Sequence, residues 1–157
     1  MIRYMTGDAT RPHADGNKII CHVCNDIGGW GAGFVLAISK RWVLPEQAYR
    51  QWYAERQQND FALGRVQFVQ VEADVWVANM IGQHGIRRTG GQPPIRYEAI
   101  EAALAAVADH AKTLGASVHM PRIGCGLAGG KWERVESIID QTLCANETEV
   151  FVYDLSG

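Results

Sequence analysis

Lys18-Ile-Ile-Cys-His-Val-Cys24 runs directly into Asn25-Asp-Ile-Gly-Gly-Trp-Gly-Ala-Gly33, and this junction decides the fold. The first stretch is a short, nearly continuous apolar run of the kind found in strands covered on both faces. The glycines after it let the backbone turn sharply. Phe34, Ala37, Ile38 and Trp42 then fall at helical spacing, predicting a helix over Gly33–Trp42. The same strand, glycine loop and helix recur downstream. Ser117–Pro121 is a strand candidate, and Arg122-Ile-Gly-Cys-Gly-Leu-Ala-Gly-Gly130 is its loop. Trp132 to about Cys144 is the helix, with Val135, Ile138, Ile139 and Leu143 facing inward.

Four further strands are expected at Ile2–Thr6, Arg65–Glu72, Asp74–Ile81 and Glu149–Asp154. Only Ala73 separates the middle two, so they form a tight antiparallel hairpin or a bulged turn. Two more helices are expected. One is opened by Pro45 and runs through Gln57, and the other spans about Ile95 to Leu114, with Gly115 as its stop. Interleaved strands and helices predict an α/β fold with helices on both faces of the sheet, and the hairpin makes the sheet mixed. With no linker or repeat, the 157 residues read as one domain.

Composition narrows the function. The formal charge is −2, which leaves no electrostatic footprint for sequence-blind nucleic-acid binding, although Arg87, Arg88 and Arg96 lie close together. No apolar run is long enough to span a membrane, and the first residues lack a signal-peptide pattern, so the expected compartment is cytoplasmic. Cys21 and Cys24 spell C-x-x-C inside the buried strand and read as structural thiols, as do Cys125 and Cys144. No metal-ligand spacing is present, and neither a metal nor a cofactor is expected.

Both loops sit where the carboxyl ends of strands meet helix N-termini. Free N–H groups and the positive end of the helix dipole make such places receptive to phosphate. Neither loop is a P-loop, and neither has the dinucleotide-binding glycine spacing.

Thr6-Gly-Asp8-Ala9-Thr10, His22-Val-Cys-Asn25 with its Gly-Trp-Gly-Ala-Gly loop, and Met120-Pro-Arg-Ile-Gly-Cys-Gly-Leu127 together resemble the macrodomain family. The match runs in order through the closing Phe151-Val-Tyr153. It is most similar to the branch holding the terminal ADP-ribose glycohydrolase and the ADP-ribose 1″-phosphate phosphatases. The resemblance implies a three-layer α/β/α fold with a mixed six-stranded sheet that binds ADP-ribose. It implies that Asp8 accepts from the adenine amino group and Ala9 adds a backbone N–H. Asn25 would touch the distal ribose, with Gly29, Trp30, Gly31, Ala32 and Gly33 lining that ribose and one phosphate. Ile123, Gly124, Cys125, Gly126, Leu127 and Ala128 would wrap the diphosphate, and Tyr153 would lie near the adenine or proximal ribose.

Each assignment has an ordinary structural counterpart. Asp8 could cap a turn, Asn25 could end its strand, and Tyr153 could be a core aromatic. Trp30 could cover the ribose as a lid or pack down to anchor its loop, and the lid is the favoured reading. His22, in a buried strand, reads as a core histidine. His84 opens the irregular stretch His84–Pro94 and is the better catalytic candidate.

The chain departs from the glycohydrolase branch at two places. Gln83 and Ala128 stand where that branch carries its catalytic lysine and aspartate, and neither can form an adduct or act as a base. Asn25, Asp26 and His84 are the remaining candidates for handling water. Three readings follow: an ADP-ribosyl hydrolase acting on modified protein or nucleobase, an ADP-ribose 1″-phosphate phosphatase, and a non-catalytic ADP-ribose-binding module. The expected partner is ADP-ribose or an ADP-ribosylated macromolecule, and the chain is expected to be a monomer.

Overall fold

The structure is a computed structural model and describes residues 1–155. Those residues form β1 (Ile2–Thr6), β2 (Lys18–Asn25), α1 (Phe34–Arg41), α2 (Leu44–Ala54), β3 (Val66–Glu72) and β4 (Val75–Gln83). They continue with α3 (Tyr97–Leu114), β5 (Ser117–Met120), α4 (Trp132–Thr142) and β6 (Val150–Asp154). Short 3₁₀ turns follow α2 and α4, at Arg56–Gln58 and Cys144–Asn146, where the sequence suggested longer helices.

The six strands make one sheet in the order β1-β6-β5-β2-β4-β3. Every pairing is parallel except β3 with β4, and that hairpin carries a register shift between Gln70 and Glu72. The tight antiparallel hairpin, one of the two alternatives expected around Ala73, is present with Ala73 and Asp74 as its turn, and the irregularity lies within β3 rather than in the turn.

Period-two alternation divides the core into layers. From β2 and β4, Ile19, Cys21, Ala78 and Met80 face the layer formed by α3 and α4. Ile20, Cys24, Val77 and Ile81 face α1 and α2 on the opposite side. Cys21 and Cys24 thus lie in different layers. Burial pushes both thiols upward in pKa, and they can neither bridge nor share a metal.

Helix α3 is the principal brace. Ile100, Ala103, Leu104, Val107 and Ala111, at helical spacing, form its buried stripe, and Gly115, the expected stop, ends the helix at φ 63°. Its N–H returns to Ala111 O, the left-handed cap that glycine adopts at no steric cost.

Candidate functional site: a cavity between two glycine loops

Adjacent parallel strands β2 and β5 place their carboxyl ends side by side, so the two glycine loops rise from neighbouring positions. Between them is a cavity of about 280 Å³ lined by Gly33 of the first loop, Phe34 at the start of α1, and Ile123, Gly124, Gly126 and Ala128 of the second loop. A second cavity of about 330 Å³, lined by Asn25, Trp30, Gly31 and Ile86, adjoins it. Val23, Ala32, Val35, Gln83 and Leu127 line both.

Helix α1 begins at the first cavity. Gly33, its N-cap, sits at φ 84°, ψ −132°, a conformation nearly exclusive to glycine. No side chain caps the helix, so its first N–H groups face the cavity with the positive end of the helix dipole. The second loop is tightly wound, with Gly130 N donating to Gly124 O at 2.7 Å and Ile95 N to Ala128 O at 3.0 Å. At its base the Arg122 guanidinium forks onto Asp154 at 2.7 and 3.0 Å. That cation holds the Asp154 carboxyl below its ordinary pKa.

Trp30 is an anchor rather than a lid. Its side chain is buried, and its indole N–H donates to Ser39 Oγ at 2.8 Å, with Val35 O at 3.3 Å. The ring packs edge-on to His22 and tilted against Tyr49. The correction has a backbone cause. Gly28, Gly31 and Gly33 lie at φ 80°, 80° and 84°, which folds the loop back far enough to drive its tryptophan into the core. Leu127 and Ile86, 77% and 55% exposed, stand at the cavity walls instead, positions from which apolar side chains can cover a ligand.

Asn25 is committed to loop architecture. Its Oδ1 accepts from Ile27 N and Gly29 N, its Nδ2 donates to Gly29 O at 2.7 Å, and Tyr49 Oη reaches its carbonyl at 2.8 Å. Tyr49, which the sequence shows only as a helix residue, is therefore part of the site's foundation.

Asp8 also holds a turn, its Oδ1 accepting from Thr10 N and Thr10 Oγ1 at 2.8 and 2.7 Å, with buried Ala9 between them. Tyr153 is a core aromatic packed with Ala9 and Phe151. Phe34, which lines the first cavity, also packs against this cluster. The Tyr153 hydroxyl accepts from His13 N at 2.9 Å and bonds His119 Nδ1 at 2.7 Å.

Asp26 and His84 meet. Asp26 Oδ2 lies 2.7 Å from His84 Nδ1, and Oδ1 accepts from Gly85 N at 2.8 Å. The pair ties the end of β2 to the end of β4 beside the Asn25–Gln83 register position. It stands next to the second cavity without lining it. The stretch after β4 is held rather than loose: His84 N donates to Pro94 O, and Thr89 and Gln92 exchange backbone hydrogen bonds. Gln83 donates to Gly85 O and lines both cavities, while Ala128 is buried against the second loop.

His22 lies on the cavity floor. Asn79 Nδ2 donates to Pro45 O and Gln67 Oε1, which leaves Asn79 Oδ1 to accept from His22 Nε2 at 2.5 Å. Burial depresses the imidazole to a pKa of about 4, so it is a neutral core histidine.

No family model matches the chain. A macrodomain protein from Streptomyces coelicolor has 59% sequence identity over the full length of both chains, with a TM-score of 0.89. The chain is a macrodomain. A structure from Bacteroides thetaiotaomicron is 60% identical over 99% of this macrodomain and 98% of that chain, with a TM-score of 0.95. Thermosipho africanus DarTG in complex with ADP-ribose shares only the fold, at 17% identity and a TM-score of 0.69, over 88% of this macrodomain and 38% of that chain. Among curated relatives, mouse chromodomain-helicase-DNA-binding protein 1-like is 29% identical over 97% of this macrodomain. The macrodomain spans only 17% of that relative's length. Human ADP-ribose glycohydrolase OARD1 is 37% identical over 60 residues, which are 38% of this chain and 40% of OARD1. No helix among the described residues is long and apolar enough to cross a membrane.

Proposed function

We propose that this macrodomain binds ADP-ribose in the paired cavities and hydrolyses the bond between the distal ribose and a modified macromolecule. The observation that carries the reading is the convergence of two glycine loops and an uncapped helix N-terminus on one cavity. The diphosphate lies between Gly33 and the Ile123–Ala128 segment, where backbone N–H groups meet its charge. The distal ribose occupies the second cavity, over the floor formed by Trp30. The adenine lies on the side of Phe34 toward Asp8, whose Oδ2 is available to its amino group. The ADP-ribose in the Thermosipho africanus complex and the activity named for OARD1 support this ligand.

Catalysis rests on the Asp26–His84 pair. A carboxylate on Nδ1 fixes the imidazole so that Nε2 is the proton acceptor, which turns His84 into an oriented base for water and Asp26 into its positioning residue. Gln83 and Ala128 supply no ionisable group, so no lysyl adduct forms. A binding module without turnover is the second reading, favoured by the position of Asp26 and His84 outside the cavity lining.

Timed incubation with mono-ADP-ribosylated protein, an ADP-ribosylated nucleobase and ADP-ribose 1″-phosphate separates the readings. Released ADP-ribose in either of the first two supports the hydrolase. Released inorganic phosphate from the third replaces it with a phosphatase, and binding without product replaces it with the module.

A further inference from the structure

On the far side of the second glycine loop is a cavity of about 450 Å³ whose walls include Arg88, Arg96, Tyr97, Gly129, Lys131 and Arg134. It brings four cations together in a chain whose net charge is −2. Glu98 is the one carboxylate in its wall, and among the described residues none of the four cations is within ion-pair distance of a carboxylate.

Their placement runs against helix stability. Arg96 and Lys131 are the N-caps of α3 and α4, and Arg134 lies in the first turn of α4, where the helix dipole disfavours positive charge. The guanidinium of Arg96 is also preset. Its Nη1 is held by the carbonyls of Pro93, Pro94 and Ile95 at 2.7, 3.1 and 3.0 Å. Among the described residues Nε and Nη2 are left without partners. The guanidinium carbon of Arg134 lies over the Tyr97 ring, 3.7 Å from its centroid, and the Tyr97 hydroxyl accepts from Lys131 N at 2.9 Å. The cations are thus held around one hollow rather than spread over a solvated face.

We infer that this cavity is a second anion site, which takes a compact phosphate-bearing ligand such as pyrophosphate or a phosphomonoester. A fixed guanidinium fork, a second guanidinium on an aromatic ring and an ammonium suit a small polyvalent oxyanion. The site is separate from the proposed ADP-ribose cavity. Its wall includes Gly129 and Ile95, which close the back of the Ile123–Ala128 loop, so an occupant bears on that loop from behind.

The test is residue-resolved NMR of the full chain titrated with inorganic phosphate, methyl phosphate and pyrophosphate, against sodium chloride of equal ionic strength. Shifts are expected at the amides of Tyr97, Glu98, Gly129 and Lys131, with and without ADP-ribose present. They follow binding curves that Lys131→Gln/Arg134→Gln weakens at least about tenfold, the loss expected from removing charge-assisted contacts. Saturation by methyl phosphate assigns the site to esterified phosphate, and saturation by the inorganic anions alone assigns it to free phosphate. Shifts matched by sodium chloride, confined to residues 123–128, or indifferent to the double substitution overturn the inference. Because Tyr97, Glu98 and Lys131 line the basic cavity and neither ADP-ribose cavity, failure of ADP-ribose to bind leaves the result readable.

Discussion

Replacement of Trp30 separates an anchor from a lid. Trp30 is 6% exposed, and its indole N–H is bonded to Ser39 Oγ and Val35 O. Truncating a buried tryptophan to alanine costs about 3–5 kcal/mol. For a domain of this length each kcal/mol moves Tm by about 2–4 °C, so Trp30→Ala should lower Tm by roughly 10 °C. Trp30→Phe keeps most of the packing and loses the N–H donor, so about 1 kcal/mol and a few degrees are expected. Thermal denaturation followed by circular dichroism reads both, with calorimetric titration of ADP-ribose on whichever variant remains folded. A lid makes the opposite prediction: an unchanged Tm with weakened ligand binding. If Trp30→Ala melts within about 2 °C of the parent chain, the burial argument fails.

Acid should weaken the fold through His22. Its folded pKa of about 4 lies below the ordinary 6.5 because burial penalises the imidazolium, so the unfolded chain binds the extra proton. Stability is complete above pH 6.5 and falls as pH drops towards 4, by on the order of 3 kcal/mol. His119, depressed to about 3 chiefly by burial, adds a loss of the same sign. Denaturant melts across this range should show the slope, and His22→Gln should flatten it; parallel curves for the two proteins would refute the assignment. Gly124→Ala places a Cβ 2.7 Å from Ile95 Cδ1 at a backbone φ of +73°. It should cost about 1–3 kcal/mol and reduce ADP-ribose affinity, and unchanged affinity would remove the second loop from the binding site. Asp26→Ala should lower hydrolysis by about 10²–10⁴-fold with ADP-ribose affinity preserved; undiminished turnover would dismiss the pair. In the native protein Ellman's reagent should reach Cys125 and Cys144 but not Cys21 and Cys24, and fast labelling of all four would contradict the layered core.

The architecture was legible because periodicity and glycine punctuation act locally. The run at Lys18–Cys24 could only be a covered strand, and the stripe on α3 could face only one layer. The end of β4 was hidden because Gly82 and Gln83 do not look like strand. Gly82 belongs there since a Cβ at that position would lie 2.5 Å from Ile100 Cδ1 on α3 and 3.1 Å from Val23 Cγ1 across the sheet, crowding that glycine avoids. Trp30 misled because flanking glycines announce a loop without showing which way it folds, and its acceptor, Ser39, lies on the following helix. Asp26 and His84 are each legible as candidates, but their meeting depends on the register that sets Asn25 opposite Gln83. Pairing across 58 residues has no signature in the sequence. The roles of Asn25, Asp8 and Tyr153 turn on hydrogen bonds to distant backbone, which composition and spacing cannot display.

Isothermal titration of the purified chain with ADP-ribose tests the central claim most directly. One ADP-ribose site per chain with micromolar affinity is expected, weakened by Gly33→Val at the helix N-cap that faces the cavity. Absence of both heat and thermal stabilisation at millimolar ADP-ribose would contradict it.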